Sequence, residues 1–300
     1  MSAVLVEDRV VTPTPSRSPR LRSIVSALGA LPTFVLLLGA AYCLFPVAWV
    51  LIAATKSSGE LFSTSTLSLG SSLLANLGEL NGYRDGVFWR WMANSALYAG
   101  VGALLSAVLS GVTGYALAKY AFRGRALIFN ALIAGVLVPA VVLAIPQYLL
   151  MSKIGLTDTY LSVLLPSVVS PYGIYLARIY AAASVPEDVV EAARTDGASE
   201  LRILTSIALP MMVPGLVTVF LFQFVSIWNN FMLPYIMLAN DGMFPVTLGL
   251  YTMLKQGNTT PALYTLVVTG SLVSVLPLIA LFLTLQRYWR IDLLSGAVKA

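Results

Sequence analysis

Apolar residues run along this chain in long blocks, and charge is confined to short intervals between them. Six windows carry no charge at all: Ser23–Thr55, Trp91–Ala118, Ala126–Ser152, Thr159–Ala177, Ile203–Asn240 and Gln256–Gln286. A helix that crosses a bilayer needs about 20 predominantly apolar residues, and each window meets or closely approaches that length. The pattern therefore predicts six spans, near Ala27–Ala54, Ala93–Ala118, Ala126–Leu150, Tyr160–Tyr180, Met211–Leu238 and Tyr264–Leu285. The expected fold class is all-α, a polytopic membrane protein with six transmembrane helices.

Several spans carry a second pattern. The second has Gly102, Ser106, Ser110 and Gly114 at four-residue spacing, beside a stripe of Ala99, Ala103, Ala107 and Gly111. Small residues at this spacing let membrane helices approach closely. The third holds Pro139 and Pro146, and the fourth holds Pro166 and Pro171. Each proline removes a backbone hydrogen bond, so these helices are expected to kink, with the freed carbonyls facing protein or water. In the fifth, Gln223, Ser226 and Asn230 are spaced to share one helical face, with Trp228 and Asn229 alongside. Amides in a membrane helix need partners. These five residues are candidates either for lining a pathway, with Trp228 as a stacking surface, or for hydrogen bonds between helices.

Composition fits the pattern: 58% of residues are hydrophobic and 10% charged, against about 25% charged in a soluble domain. Cys43 is the single cysteine, so no intrachain disulfide forms, and bulky Tyr42 before it argues against lipid attachment there. The chain has no histidine, which excludes histidine-based metal sites and general bases. The net charge of +5 belongs to residues that flank spans, not to a nucleic-acid-binding face. A basic tail precedes the first span, but that apolar run is far longer than the signal-peptide core of about 7–15 residues, so the span is read as uncleaved.

With the tail inside, the inner segments carry Arg9, Arg17, Arg20, Arg22, Lys119, Arg123, Arg125, Arg178, Arg194, Arg202, Arg287, Arg290 and Lys299. The outer ones carry Lys56, Arg84, Arg90, Lys153 and Lys255. The positive-inside rule places both termini in the cytoplasm. The expected organisation is a disordered cytoplasmic tail over 1–26, a six-helix domain over 27–290 and a short cytoplasmic tail over 291–300.

The charged insert between the fourth and fifth spans, about 181–210, lies on the same inner face. Ser184 and Glu187 have capping-box spacing, Gly197 suits a left-handed helix end, and Ser199 is placed to cap a second helix with Leu201, Leu204 and Ala208 on one face. The order Glu191-Ala192-Ala193, then Asp196-Gly197-Ala198, Ile207 and Leu209-Pro210 resembles the EAA loop of ABC importer permeases. Trp228 to Ile236, WNNFMLPYI, resembles the fifth-helix signature of the carbohydrate, maltose-type class, and the C-terminal QRYWRIDLLSGAVKA resembles its smaller, MalG-like subunit. Weaker likenesses lie at Asn94-Ser95, Gly114–Arg125 and Ile154–Pro166, so the resemblance covers most of Ala27 to Ala300.

The resemblance implies a type I ABC importer permease in a bacterial or archaeal cell membrane. It implies that Glu191, Ala192, Ala193, Asp196 and Gly197 couple to a dimer of ATP-binding subunits. The other implied partners are a second homologous permease, an extracytoplasmic solute-binding protein, a sugar and membrane lipid. No Gly-x-x-x-x-Gly-Lys-Ser/Thr phosphate loop is present, so ATP hydrolysis is assigned to a separate subunit and no cofactor is expected. The alternatives are the same importer with a non-sugar cargo (peptide, amino acid or polyol phosphate) and a secondary transporter. Proton coupling usually needs an ionisable residue at membrane depth, and the six windows have none. An embedded enzyme lacks any evident catalytic cluster.

The charge bias yields a test. In a Cys43→Ala background, Ser71→Cys should react with an impermeant maleimide from outside, and Ser199→Cys only after permeabilisation. The reverse pattern would invert the topology.

Overall fold

The computed structural model describes the backbone of residues 19–297 and the side chains of 32–288. Two compact units divide between Trp49 and Val50. The first consists of most of helix α1 (Pro19–Ala54), which includes Pro32 and Pro46. Its stretch Pro32–Ala54 is apolar on every side, with a mean hydropathy of 2.4. At about 1.5 Å per residue its 23 residues are long enough for a hydrocarbon core of about 30 Å. Of the tail expected to be disordered, residues 1–18 lie outside the described part, and the backbone from Pro19 onward is helical.

The second unit is built around α4. It contains α2 (Ser58–Ser63), α3 (Leu73–Gly82), α4 (Val87–Lys119), α5 (Arg125–Leu137), α6 (Ala140–Lys153), α7 (Tyr160–Val168), α8 (Pro171–Ser184), α9 (Glu187–Thr195) and α10 (Glu200–Ile203). These are followed by α11 (Leu209–Trp228), α12 (Met232–Met237), α13 (Val246–Gly257) and α14 (Ala262–Ala297). Helix α4 packs along α7, α8 and α11, while α14 lies against α3, α11 and α13.

Both small-residue stripes of α4 are buried: Ala99, Gly102, Ala103, Ser106, Ala107, Ser110, Gly111 and Gly114 all face neighbouring helices. At Gly114 the approach is backbone to backbone, since a Cβ there would stand 2.6 Å from the Arg178 amide nitrogen. At Gly102 and Gly111 it would meet Ile227 at 2.8 Å and Leu216 at 2.9 Å. The close packing expected from spacing alone is therefore present against both α8 and α11.

Among the described residues, five stretches are long and apolar enough to cross a membrane, and the bent pair α5–α6, taken as one broken span, makes a sixth. The third span, expected as one kinked helix, is broken by 108° between Leu137 and Ala140. Pro139 forces Val138 into extended backbone (φ −76°, ψ 121°), because its ring excludes the helical conformation in the residue before it. Pro146 sits within α6, which continues through it. The fourth span is interrupted at Val169–Ser170, and Ser170 restarts it by accepting the Gly173 N–H at 3.0 Å.

The fifth span begins earlier and ends sooner than its apolar window. A π-turn over Leu204–Ala208 joins α10 to α11, so the helix runs unbroken from Glu200 to Trp228. Pro210 follows this wide turn and cannot donate to a carbonyl within it. A π-turn also puts residues five apart on one face, so Ile203 and Ala208 are buried together while Leu201 is 70% exposed. The expected Leu201, Leu204, Ala208 face is corrected accordingly. So is the Ser184 capping box: Ser184 ends α8, and α9 starts after Pro186 without a side-chain cap.

Gly249 lies against the indole of Trp91, where an added Cβ would stand 2.1 Å from the ring. Trp91 is only 1% exposed and has nowhere to move. Gly249→Ala should therefore lower unfolding stability by about 1–3 kcal/mol. Gly100→Ala, with nothing within 4 Å, should be neutral or add up to about 1 kcal/mol. Thermal unfolding in detergent compares them, and equal midpoints would show that the Trp91 contact yields.

Candidate functional site

The insert between α8 and α11 is mounted on a hydrophobic core of its own. Val185, Val190, Ala193, Ile203, Ala208 and Met212 pack with Tyr115, Ala177 and Ala181. Val190 and Ala193 turn α9 inward, leaving Asp188, Glu191, Ala192 and Thr195 on its exposed face. Glu187 and Asp188 occupy the first turn and Arg194 the last, each complementing the helix dipole. Asp196 follows as C-cap, its N–H bonded to Ala192 O, and Gly197 takes the left-handed conformation at φ +78°. The Gly197 and Ala198 N–H groups return to Arg194 O and Ala193 O, both at 3.0 Å, and satisfy carbonyls at the helix end. Ser199 then caps α10 by accepting the Arg202 N–H.

Of the five predicted coupling residues, Glu191, Ala192, Asp196 and Gly197 are exposed together, whereas Ala193 is buried beneath them. Glu191 has no hydrogen-bonding or ionic partner for its carboxylate among the described residues. Glu187, Arg194 and Glu200 around it are engaged, whereas the exposed Asp188 and Asp196 carboxylates, like that of Glu191, have no partner among the described residues. Lys119 Nζ lies 3.4 Å from Glu187. Arg194 meets Glu200 through Nε at 2.7 Å and Nη2 at 3.3 Å. Tyr120 donates to the second Glu200 oxygen at 2.5 Å. Burial, and next this bond to Glu200, raise the Tyr120 phenol above its ordinary range. The hydrogen bond to Glu200 likewise raises Arg194.

The fifth-span candidates separate into three environments. Ser226 and Asn229 are exposed on one stripe with Phe222 and Val225, and Phe222 meets Tyr172 edge-on at 6.1 Å. Gln223 is half-buried and donates to Ser167 O at 3.2 Å, beside the break between α7 and α8. Trp228 is 3% exposed and stacked on Phe224 at 5.6 Å. Asn230 lies beyond the end of α11, where its side chain accepts the Leu233 N–H at 3.3 Å. Gln223, Ser226 and Asn230 therefore do not share a helical face, and the indole of Trp228 is covered within the subunit. The sequence reading passed over Phe222 and Val225, because apolar residues on a membrane helix look alike whichever way they face.

It also passed over the opposite end of α4. There Trp91 Nε1 donates to Asp241 O at 3.0 Å, and Asn94 donates to Gly242 O and Phe244 O at 2.9 and 3.0 Å. Tyr98 donates to Met243 O at 3.0 Å, and Ser95 accepts the Val246 N–H at 2.8 Å. Asp158 accepts the N–H groups of Ala239 and Asn240 at 2.9 and 3.0 Å. Arg84 pairs with Asp241. The sequence marked this region through Asn94-Ser95 and through Ile154–Pro166, which contains Asp158.

Residues 107–290 match the family described as binding-protein-dependent transport system inner membrane component. The arabinooligosaccharides transport system permease protein AraQ of Halalkalibacterium halodurans is 34% identical over 264 residues, covering 85% of this chain and 91% of that protein. The lactose transport system permease protein LacG of Rhizobium radiobacter is 28% identical, covering 88% of this chain and 94% of its own length. A crystal structure of a bacterial ABC transporter involved in import of the acidic polysaccharide alginate contains a chain that aligns with TM-score 0.73 and 26% identity, over 92% of this chain and 99% of its own. The chain belongs to the family of inner membrane components of binding-protein-dependent transport systems, and it is a transport permease.

Proposed function

We propose that this permease forms half of a sugar or oligosaccharide pathway and is driven by a separate ATP-binding subunit that docks on α9. The observation that carries this reading is the exposed face of α9: an unpartnered Glu191 beside the small Ala192, on a helix whose other side is held in a core. Alanine permits close approach, and the free carboxylate offers a charge to a basic groove. The turn at Gly197 fixes the direction in which that face points. A second permease would complete the path, and a solute-binding protein would deliver cargo to the opposite side. The basic bias along the loops supports cytoplasmic termini, with 1–26, 27–290 and 291–300 as tail, membrane domain and tail.

The names of the arabinooligosaccharide and lactose relatives, and of the alginate importer, support a saccharide cargo. A polyol phosphate is the second reading, because the sn-glycerol-3-phosphate transport system permease protein UgpE of Salmonella choleraesuis is 28% identical over 258 residues. A binding assay on the co-purified solute-binding protein, with a panel of saccharides against glycerol 3-phosphate, separates the two.

Glu191→Ala and Gly197→Val should leave membrane insertion intact. Removing one partner of a buried interface charge pair costs about 2–5 kcal/mol. A Cβ at the left-handed Gly197 position meets no neighbour within 4 Å but strains the backbone by about 1–2 kcal/mol. Both variants should lose ATPase co-purification or its stimulation, and uptake with it. Wild-type values of all three in both variants would remove α9 as the docking element.

Along α11, Ser226→Ala should reduce uptake with assembly unchanged, since its side chain is open on the subunit surface. Gln223→Ala should instead lower stability modestly, by about 0.6 kcal/mol for one interhelical bond, read as a small fall in the unfolding midpoint. Unchanged uptake in Ser226→Ala would take this stripe out of the pathway.

A further inference from the structure

The end of α4 that faces the insert holds α9 at two places through consecutive residues. Lys119, with a side chain only 8% exposed, reaches Glu187 in the first turn of α9. Tyr120, the C-cap of α4, reaches Glu200 at the start of α10, and Glu200 grips Arg194 in the last turn of α9. Three helices thus converge on one carboxylate. One Glu200 oxygen takes Arg194 Nε, while the other takes both Tyr120 OH and Arg194 Nη2. The Arg194 guanidinium also lies 6.0 Å from the centre of the Tyr120 ring, and Tyr115 packs edge-on against that ring at 5.7 Å. The pair closes the turn at Gly197, so the angle between α9 and α10 is held from outside the turn as well as by its backbone.

Ordinary surface ion pairs contribute little, because two mobile side chains lose entropy and solvent screens them. This arrangement differs in being a network with a two-pronged arginine and a third, neutral donor on a separate helix. Its neutral member is the informative one. Among the described residues Tyr120 is the link from Glu200 to α4; its ring packs on the core beneath, and its hydroxyl also neighbours the buried Tyr115 phenol.

We propose that Tyr120 is a positioning residue for coupling: through Glu200 and Arg194 it ties α9 to the end of α4. A displacement of α9 then reaches α4 as movement of a rigid helix. Helix α4 is about 50 Å long at 1.5 Å per residue. Its other end holds residues 241–246 through Trp91, Asn94, Ser95 and Tyr98. The movement is therefore delivered to that distant loop without an intervening joint. This inference rests on α9 being the docking element for the ATPase.

The test uses the assembled complex in nanodiscs, in a Cys43→Ala background with Ala239→Cys as a reporter on the exposed segment before the loop. Maleimide labelling of that cysteine is followed with and without ATP plus orthovanadate, so no transported solute is needed. With Tyr120 present, the nucleotide should change the labelling rate. In Tyr120→Phe, which removes only the hydroxyl, the change should shrink about fivefold or more, with the unfolding midpoint and ATPase retention unaltered. Glu200→Gln should do the same, and the double variant should be no worse than either single, as expected of residues in one network. A full response in Tyr120→Phe, or losses that multiply in the double variant, would overturn the proposal. Loss of response together with loss of the midpoint would assign Tyr120 to stability and overturn it too. The docking reading is judged separately: Glu191→Ala retaining the ATPase and the response removes that reading, whereas a silent Tyr120→Phe beside a defective Glu191→Ala removes only the brace.

Discussion

Close backbone approach along α4 is the contact on which the rest of the second unit depends. In lipid, apolar side chains gain little by leaving one hydrocarbon surface for another, so helices associate through packing and hydrogen bonds. Where Gly114 faces the Arg178 amide and Gly111 faces Leu216, any larger residue would push α8 or α11 away. Because α8 and α11 flank the charged insert, the spacing set by these glycines also sets where α9 is mounted. The same approach lets the Arg178 Nε–H reach the Leu117 carbonyl at 3.3 Å, while its guanidinium stacks 3.9 Å from the Phe129 ring. A charge near the end of a span is thereby satisfied at a helix terminus.

A second constraint acts at the helix breaks. Backbone groups freed inside a membrane protein must find partners within it, and each interruption here comes with its own. Ser170 receives the Gly173 N–H after the break in the fourth span, and Gln223 serves the Ser167 carbonyl just before it. Asn229 donates back to the Val225 carbonyl at 2.9 Å where α11 ends, and Asn230 accepts from the first turn of α12. The polar residues of the fifth span are thus divided by geometry. Those beside breaks maintain the backbone, and those in mid-helix on the open face, chiefly Ser226, are free for other contacts.

This division explains what the sequence could and could not disclose. Charge-free windows and small-residue spacing located the spans and the α4 seam, because both depend on local composition. The Gly197 turn and the Ser199 cap were legible for the same reason: each is decided within four residues. Boundaries were less so. Nothing in the apolar run from Ile203 to Asn240 marks Trp228 as a helix end, since Asn229 and Asn230 read equally well as members of a helical face. The π-turn before Pro210 was also invisible, and it moved Leu201 to the surface in place of Ile203. Long-range partners were wholly out of reach. Tyr120 and Glu200 lie 80 residues apart in sequence, and only the folded chain brings them together.

Partners are unevenly distributed along the insert. Glu187 and Glu200 flank the insert's first helix, and each is held by a residue from the end of α4. Glu191 lies between them and is left without one. On the proposed docking reading, an acidic residue without an internal partner, on a helix fixed at both ends, is suited to a charge supplied by the ATP-binding subunit. Fixing the ends would also make that proposed interaction productive, because force applied at Glu191 would not be lost in bending the turn at Gly197. Rigidity of the mount and vacancy of the central carboxylate are thus complementary. On the proposed docking of an ATP-binding subunit at α9, the first would confine movement to the whole helix, and the second would leave a carboxylate at which that subunit could apply it.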